Sequence, residues 1–98
     1  MSTPEKKVKD AIKRILHTHN VYYFMPTTGG YGRSGVPDFV CCIKGRFLAI
    51  EAKAHGGMVT ALQQREMLRI EAAGGIPMIV KETNLDQLEL TVKWLASL

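Results

Sequence analysis

Asp38, Glu51 and Lys53 carry the densest chemistry in this sequence. They lie in GVPDFVCCIKGRFLAIEAK, residues 35 to 53, at the ends of two apolar runs. Asp38 opens Phe39-Val40-Cys41-Cys42-Ile43, and Glu51-Ala52-Lys53 closes Phe47-Leu48-Ala49-Ile50. Charges at the ends of buried strands are costly to desolvate, so their placement needs a reason. If Lys44-Gly45 is a two-residue hairpin turn, residue 43 faces 46, 42 faces 47, and the same ladder sets Asp38 directly opposite Glu51. Their β-carbons would then lie roughly 4.5–5.5 Å apart on one face, with Lys53 pointing the same way. A one-residue bulge would make the contact diagonal. Two opposed carboxylates destabilise a sheet unless something cationic sits between them. A hard divalent ion such as Mg²⁺ suits those oxygens. Lys53 beside it would orient or activate a water and stabilise charge on a phosphate. The plainer alternative is a surface salt bridge between Lys53 and either acid.

The elements that must hold these residues follow from periodicity. Residues 3–17 read as a helix: Thr3 caps it, Pro4 suits its first position, and Val8, Ala11, Ile12, Ile15 and Leu16 form one buried stripe. Glu5 continues that stripe inward, though a Glu there also stabilises a helix N-terminus through the dipole. Lys6, Lys7, Lys9, Lys13 and Arg14 fall mostly on the other side. His17-Thr18-His19-Asn20 reads as a solvated helix exit, since no further Cys or His is spaced to complete a metal site. Val21–Met25 is β-branched and aromatic, hence a strand stopped by Pro26.

Gly30-Tyr31-Gly32-Arg33-Ser34-Gly35 is a literal G-x-G-x-x-G. A dinucleotide site would require a helix immediately afterwards, and Val36-Pro37 plus a strand follow instead. The segment is therefore read as a flexible polar loop carrying Tyr31 and Arg33, the latter either meeting a phosphate or solvated. Residues 38–43 and 46–53 are strands, 60–73 a second helix stopped at Gly74-Gly75, and 76–81 a strand with Pro77 at an edge. Asn84-x-x-Gln87 opens a last helix striped by Leu85, Leu88, Val92 and Leu95. The order is α-β-β-β-α-β-α, with central strands apolar on both faces and covered by helices.

The 98 residues make one domain, 1–98, with 46% hydrophobic and 22% charged residues, values wrong for a disordered chain. A net charge of +4 fits a polyanion partner. No apolar run can span a bilayer and no signal-peptide region opens the chain, so a cytoplasmic location is expected. Cys41 and Cys42 point to opposite faces of a strand and cannot bridge each other without distorting it. They read as two small buried hydrophobes in a reducing compartment, with a metal or redox role the alternative.

Pro37-Asp38, twelve intervening residues and Glu51-Ala52-Lys53 resemble the PD-(D/E)XK nuclease signature. Gly35-Val36-Pro37-Asp38, the Glu51-Ala52-Lys53 strand, and Thr60-Ala61-Leu62-Gln63 leading to Gly74-Gly75 together look like a VRR-NUC domain, the virus-type replication-repair nuclease branch. The resemblance covers nearly the whole chain. It implies a restriction-endonuclease-like α/β core, a central mixed sheet flanked by helices. It also implies that Asp38, Glu51 and the main-chain carbonyl of Ala52 hold Mg²⁺ or Mn²⁺, with Lys53 as the catalytic lysine. Glu5 would match the acid of the family's first helix, and Gln63 the polar residue of the helix after the catalytic strands. Gln63 also falls on the inward face by spacing, four before Met67 and seven before Ile70; capping buried backbone groups is its other reading.

The expected activity is a metal-dependent endonuclease hydrolysing DNA phosphodiester bonds. Lys6, Lys9, Tyr31, Arg33, Lys44 and Arg46 would be its DNA contacts. The resemblance further implies a homodimer acting on branched DNA of the four-way-junction type, in phage or bacterial replication and repair. Two alternatives stand beside it: a catalytically inactive DNA-binding or assembly module of the same fold, and a restriction-type endonuclease.

Overall fold

The computed structural model describes residues 2–27 and 33–98. Helix α1 (Pro4–Thr18) begins with Thr3 as its cap, the Thr3 Oγ1 accepting from the Lys6 N–H at 3.1 Å. Three short strands follow, β1 (Tyr22–Phe24), β2 (Phe39–Ile43) and β3 (Arg46–Ala52), then α2 (Ala61–Ala72), β4 (Ile76–Val80) and α3 (Leu85–Ala96). The sheet order is β1-β2-β3-β4, antiparallel across the first two pairs and parallel between β3 and β4. It is a mixed sheet flanked by helices. Among the described residues no helix is long and apolar enough to cross a membrane.

Lys44 (φ +52°) and Gly45 (φ +80°) both adopt positive φ, the geometry of a two-residue turn that matches the strand twist. The ladder therefore runs from Ile43↔Arg46 to Phe39↔Ile50 without a bulge. Alternation then sorts the side chains. On one face Phe39, Cys41, Leu48, Ile50, Ala52 and Val80 pack with Val8, Ile12 and Leu16 of α1 and Leu88, Val92 and Leu95 of α3. Each fully buried Leu or Ile here contributes about 1.5–3 kcal/mol, and Leu48→Ala would cost about 2–5 kcal/mol. On the other face, α2 covers β3 and β4: Ile70 and Phe47 both close on Gly75, where a β-carbon would lie 2.7 Å and 3.0 Å from them, and Gln63 reaches Glu51.

Several local expectations change. Helices cover both faces only over β3 and β4; among the described residues, no helix covers the α2 side of β1 and β2. Cys42 is consequently exposed, while burial pushes the Cys41 thiol up to about 12. The strand expected over 21–25 narrows to Tyr22–Phe24, because the Val21 N–H is already bonded to the Leu16 carbonyl at 2.9 Å. Asn84 does not cap α3 with its side chain. Its amide donates to the Ile79 carbonyl (2.9 Å) and accepts from the Lys81 N–H (2.6 Å), so the group is spent tying the end of β4 to the turn. The helix exit is not simply solvated either. His17 Nε2 bonds Tyr23 Oη at 2.8 Å, and His19 Nε2 meets Glu89 Oε2 at 2.9 Å, joining α1 to α3.

Candidate active site

Asp38 stands one residue before β2, where its side chain prolongs the ladder that its backbone does not. Its Oδ2 accepts the Ala52 N–H at 2.8 Å. In a strand the N–H and C=O of one residue point to the same side, so the Ala52 carbonyl also faces Asp38. Glu51, next to Ala52, lies on the α2 side of the sheet, opposite Asp38 in the continued register. Its carboxylate is buried, and one oxygen, Oε1, accepts from Gln63 Nε2 at 3.0 Å and has the Lys53 Nζ 3.8 Å away as an ion-pair partner. Lys53 is buried too, its main-chain N–H held by the Val80 carbonyl at 2.9 Å.

Gln63 is the third residue of α2, and the local sequence explains its place. Thr60 Oγ1 accepts from the Gln63 N–H at 3.1 Å while Gln63 Oε1 accepts from the Thr60 N–H at 2.9 Å, a reciprocal capping box. The amide oxygen is thus spent on the cap, which turns the amide nitrogen toward Glu51. Both readings of Gln63 hold at once. Gly35 brings the loop before Asp38 against this first turn. A β-carbon there would lie 2.5 Å from the Leu62 carbonyl carbon and 2.8 Å from the Gln63 nitrogen, and its φ of +78° favours glycine besides.

The electrostatics are unbalanced. Burial, then the charge and hydrogen bonding of Asp38, push the Glu51 carboxyl up to about 8; Lys53 opposes this and Glu5 adds to it. Lys9 Nζ lies 3.6 Å from Asp38 Oδ1 and 3.6 Å from Glu5 Oε2, so it stands between those two acids. The donor set is therefore two carboxylates and a carbonyl, all oxygen, carrying negative charge that the two lysines only partly offset. Such a set fits a hard divalent cation. Among the described residues no three His, Cys, Asp or Glu side chains gather closely enough to form a metal cluster. Glu5 is half-exposed and joins the pair through Lys9 rather than directly.

No protein-family model matches the sequence, and none of the curated proteins does. Solved structures do match. One described as "VRR_NUC domain" superposes with a TM-score of 0.75 over 89% of this chain and 95% of its own, at 22% identity. Another, "VRR_NUC domain protein", gives 0.72 over 99% and 91%, at 14% identity. The chain has the VRR_NUC fold.

Within this VRR_NUC fold, Asp38, Glu51, Ala52, Lys53 and Gln63 converge at one end of the sheet, with Glu5 and Lys9 at its margin. The other expected contacts disperse. Lys6 pairs with Asp10 at 2.9 Å on the exposed side of α1. Lys44 is in the hairpin turn and Arg46 directly follows it, five residues of strand and about 17 Å from Glu51. Tyr31 lies outside the described residues. Arg33 stays largely exposed but is engaged: its Nη2 holds Glu66 Oε2 at 3.0 Å. Two residues were misread or missed. Lys9, placed with the outer lysines, follows Glu5 by four and so shares its face. Glu66, buried on α2, follows Gln63 by three, and that helical spacing was the available signal.

Proposed function

We propose that this chain is a Mg²⁺- or Mn²⁺-dependent endonuclease hydrolysing DNA phosphodiester bonds. The observation that carries the reading is the opposed pair Asp38 and Glu51, with buried Lys53 3.8 Å from the Glu51 carboxylate. Asp38, Glu51 and the Ala52 carbonyl would hold the ion. Once bound, a divalent cation offsets their charge and supplies Lewis acidity toward a phosphate oxygen.

The rest of the chemistry falls to the chain's own groups. Lys53 presents a fixed ammonium where a phosphate would meet the pair, and so stabilises the negative charge that grows as water attacks phosphorus. Gln63 holds Glu51 in orientation, and the Ala52 N–H does the same for Asp38. Lys9 offsets charge at the Glu5 margin. A body of 98 residues gives little surface for gripping two duplex arms, and paired cuts need two sites. The reading therefore extends to a homodimer acting on branched DNA.

Linear, flap and four-way-junction DNAs, incubated with Mg²⁺, Mn²⁺ or EDTA, test the proposal. Metal-dependent cutting with preference for the branched substrates is expected. Binding without cutting in either metal would favour the inactive DNA-binding module instead.

A further inference from the structure

The open half of the sheet and the rim of its α2-covered half carry rings that the core does not use. Tyr22 is 72% exposed, Phe24 51% and Phe47 44%. The register places them in rows on one face: Tyr22, Cys42 and Phe47 form one row, and Phe24, Val40 and Ala49 the next. The row after that holds Asp38 and Glu51. Same-face rows are about 6.5–7 Å apart, comparable with one extended nucleotide. The rings thus stand one and two such steps from the acid pair. Beside Phe47 opens a cavity of about 370 Å³, also lined by Arg33, Glu66 and Arg69. Glu66 occupies one of the Arg33 donors and leaves the others of its fork free of that contact.

From these rows we infer that the open face is a track for single-stranded DNA, running from the Lys44-Gly45 turn to the acid pair. The inference rests on the nuclease reading and deepens it by naming the form of substrate beside the cut. Phe24 and Tyr22 stack successive unpaired bases, and Phe47, across the sheet in the Tyr22 row, borders the same step with the cavity beside it. Arg33 and Arg69 meet the backbone phosphates. A duplex hides the faces of its bases, so exposed rings on a flat sheet suit unstacked ones. A second copy of the chain fits this face less well. The core of a protein–protein interface is depleted of charge, whereas this face runs directly into two carboxylates.

The test is anisotropy of a labelled short oligothymidylate and of a matched duplex, both in EDTA so that nothing is cut. Tyr22→Ala and Phe24→Ala should each weaken single-strand binding by about 5- to 100-fold, the loss of one stacked base. Duplex affinity should stay within about twofold, and Phe24→Trp should restore single-strand binding. Circular dichroism confirms that each variant is folded. Unchanged single-strand affinity in folded alanine variants overturns the inference, as does a loss that Phe24→Trp fails to restore. Light scattering that shows Phe24→Ala turning a dimer into a monomer would assign the face to a second copy and overturn it too. A wild type that cuts DNA while the rings prove irrelevant sinks only the track. A wild type that neither binds nor cuts any DNA sinks the nuclease reading itself.

Discussion

Gln63 holds Glu51 with one end of its amide and its own helix cap with the other, at 3.0 Å and 2.9 Å. Gln63→Glu separates these tasks. A glutamate still accepts the Thr60 N–H, so the cap survives. Its second oxygen, however, would face the Glu51 carboxylate in place of a donor. Cleavage should fall by about 10- to 100-fold while the helical signal is retained. Gln63→Ala, which loses both contacts, should lose activity and also melt lower. If Gln63→Glu cuts as well as wild type, Gln63 serves the cap alone.

Lys53→Met keeps the buried stem and removes the ammonium. Removal of a group that acts on developing charge typically costs about 10²–10³ in rate. Single-turnover cleavage should drop by that factor, with DNA binding within about twofold of wild type. Wild-type cleavage rates in this variant would remove Lys53 from the chemistry.

Glu51 makes the metal-free protein pH-sensitive in a specific direction. Its carboxyl is raised from 4.5 to about 8, so between those values the folded chain binds a proton that the unfolded chain has released. Stability from this group is complete below 4.5 and is lost as pH rises toward 8. In EDTA the Tm of wild type should fall by roughly 10 °C between pH 5 and pH 8 relative to Glu51→Gln, which has no such proton. Parallel melting curves of the two proteins decide the matter. Equal pH dependence would mean that the carboxylate pair is already neutralised within the protein.

Added Mg²⁺ or Mn²⁺ should reverse that loss in wild type. At about 100 times its Kd, a ligand of the folded state stabilises by about 2.7 kcal/mol. Asp38→Asn keeps an oxygen for the Ala52 N–H but drops a charge, so most of the metal-induced Tm rise should vanish. In EDTA the same variant relieves repulsion on Glu51 and gives up the Lys9 contact, an exposed pair worth little. Its metal-free Tm should therefore equal or exceed that of wild type. Thermal scanning with and without metal provides both comparisons.

Arg33→Met would leave Glu66 buried without its cation. The pair is exposed on the arginine side, which reduces its worth to about 1 kcal/mol. A Tm decrease of about 4–8 °C is expected, with much of it recovered in Arg33→Met/Glu66→Gln. If the double variant melts no higher than the single one, Glu66 is held by something other than Arg33.

The fold was legible because local signals agreed with one another. Thr3-Pro4 marks a helix start, Gly74-Gly75 a stop, and Lys44-Gly45 a turn whose two residues fix the register that opposes Asp38 and Glu51. What escaped depended on the path of the chain in space. Asn84 opens the last helix, and nothing in that pattern shows that its amide turns back to Ile79 and Lys81 instead of capping. Nothing near Arg33 points to Glu66, thirty-three residues away. Lys9 was misplaced for a related reason: a lysine reads as solvent-facing until an acid from another element arrives beside it. Cys42 looked buried because a run of five apolar residues cannot reveal that a helix will cover only half of the sheet.

The bulge-free hairpin also acts as a counting device. Twelve residues separate Asp38 from Glu51, and a two-residue turn lets them meet only if both strands have equal length. A residue added to one strand alone sets the acids out of step. One added to each strand restores the meeting but turns every side chain between the insertion and the turn to the opposite face, sending Phe39, Cys41 and Leu48 out of the core. Two added to each strand restore both. For insertions beside the acids, the interval can therefore lengthen or shorten only by four residues at a time, a parity rule that any redesign or natural drift at that end of the hairpin must obey.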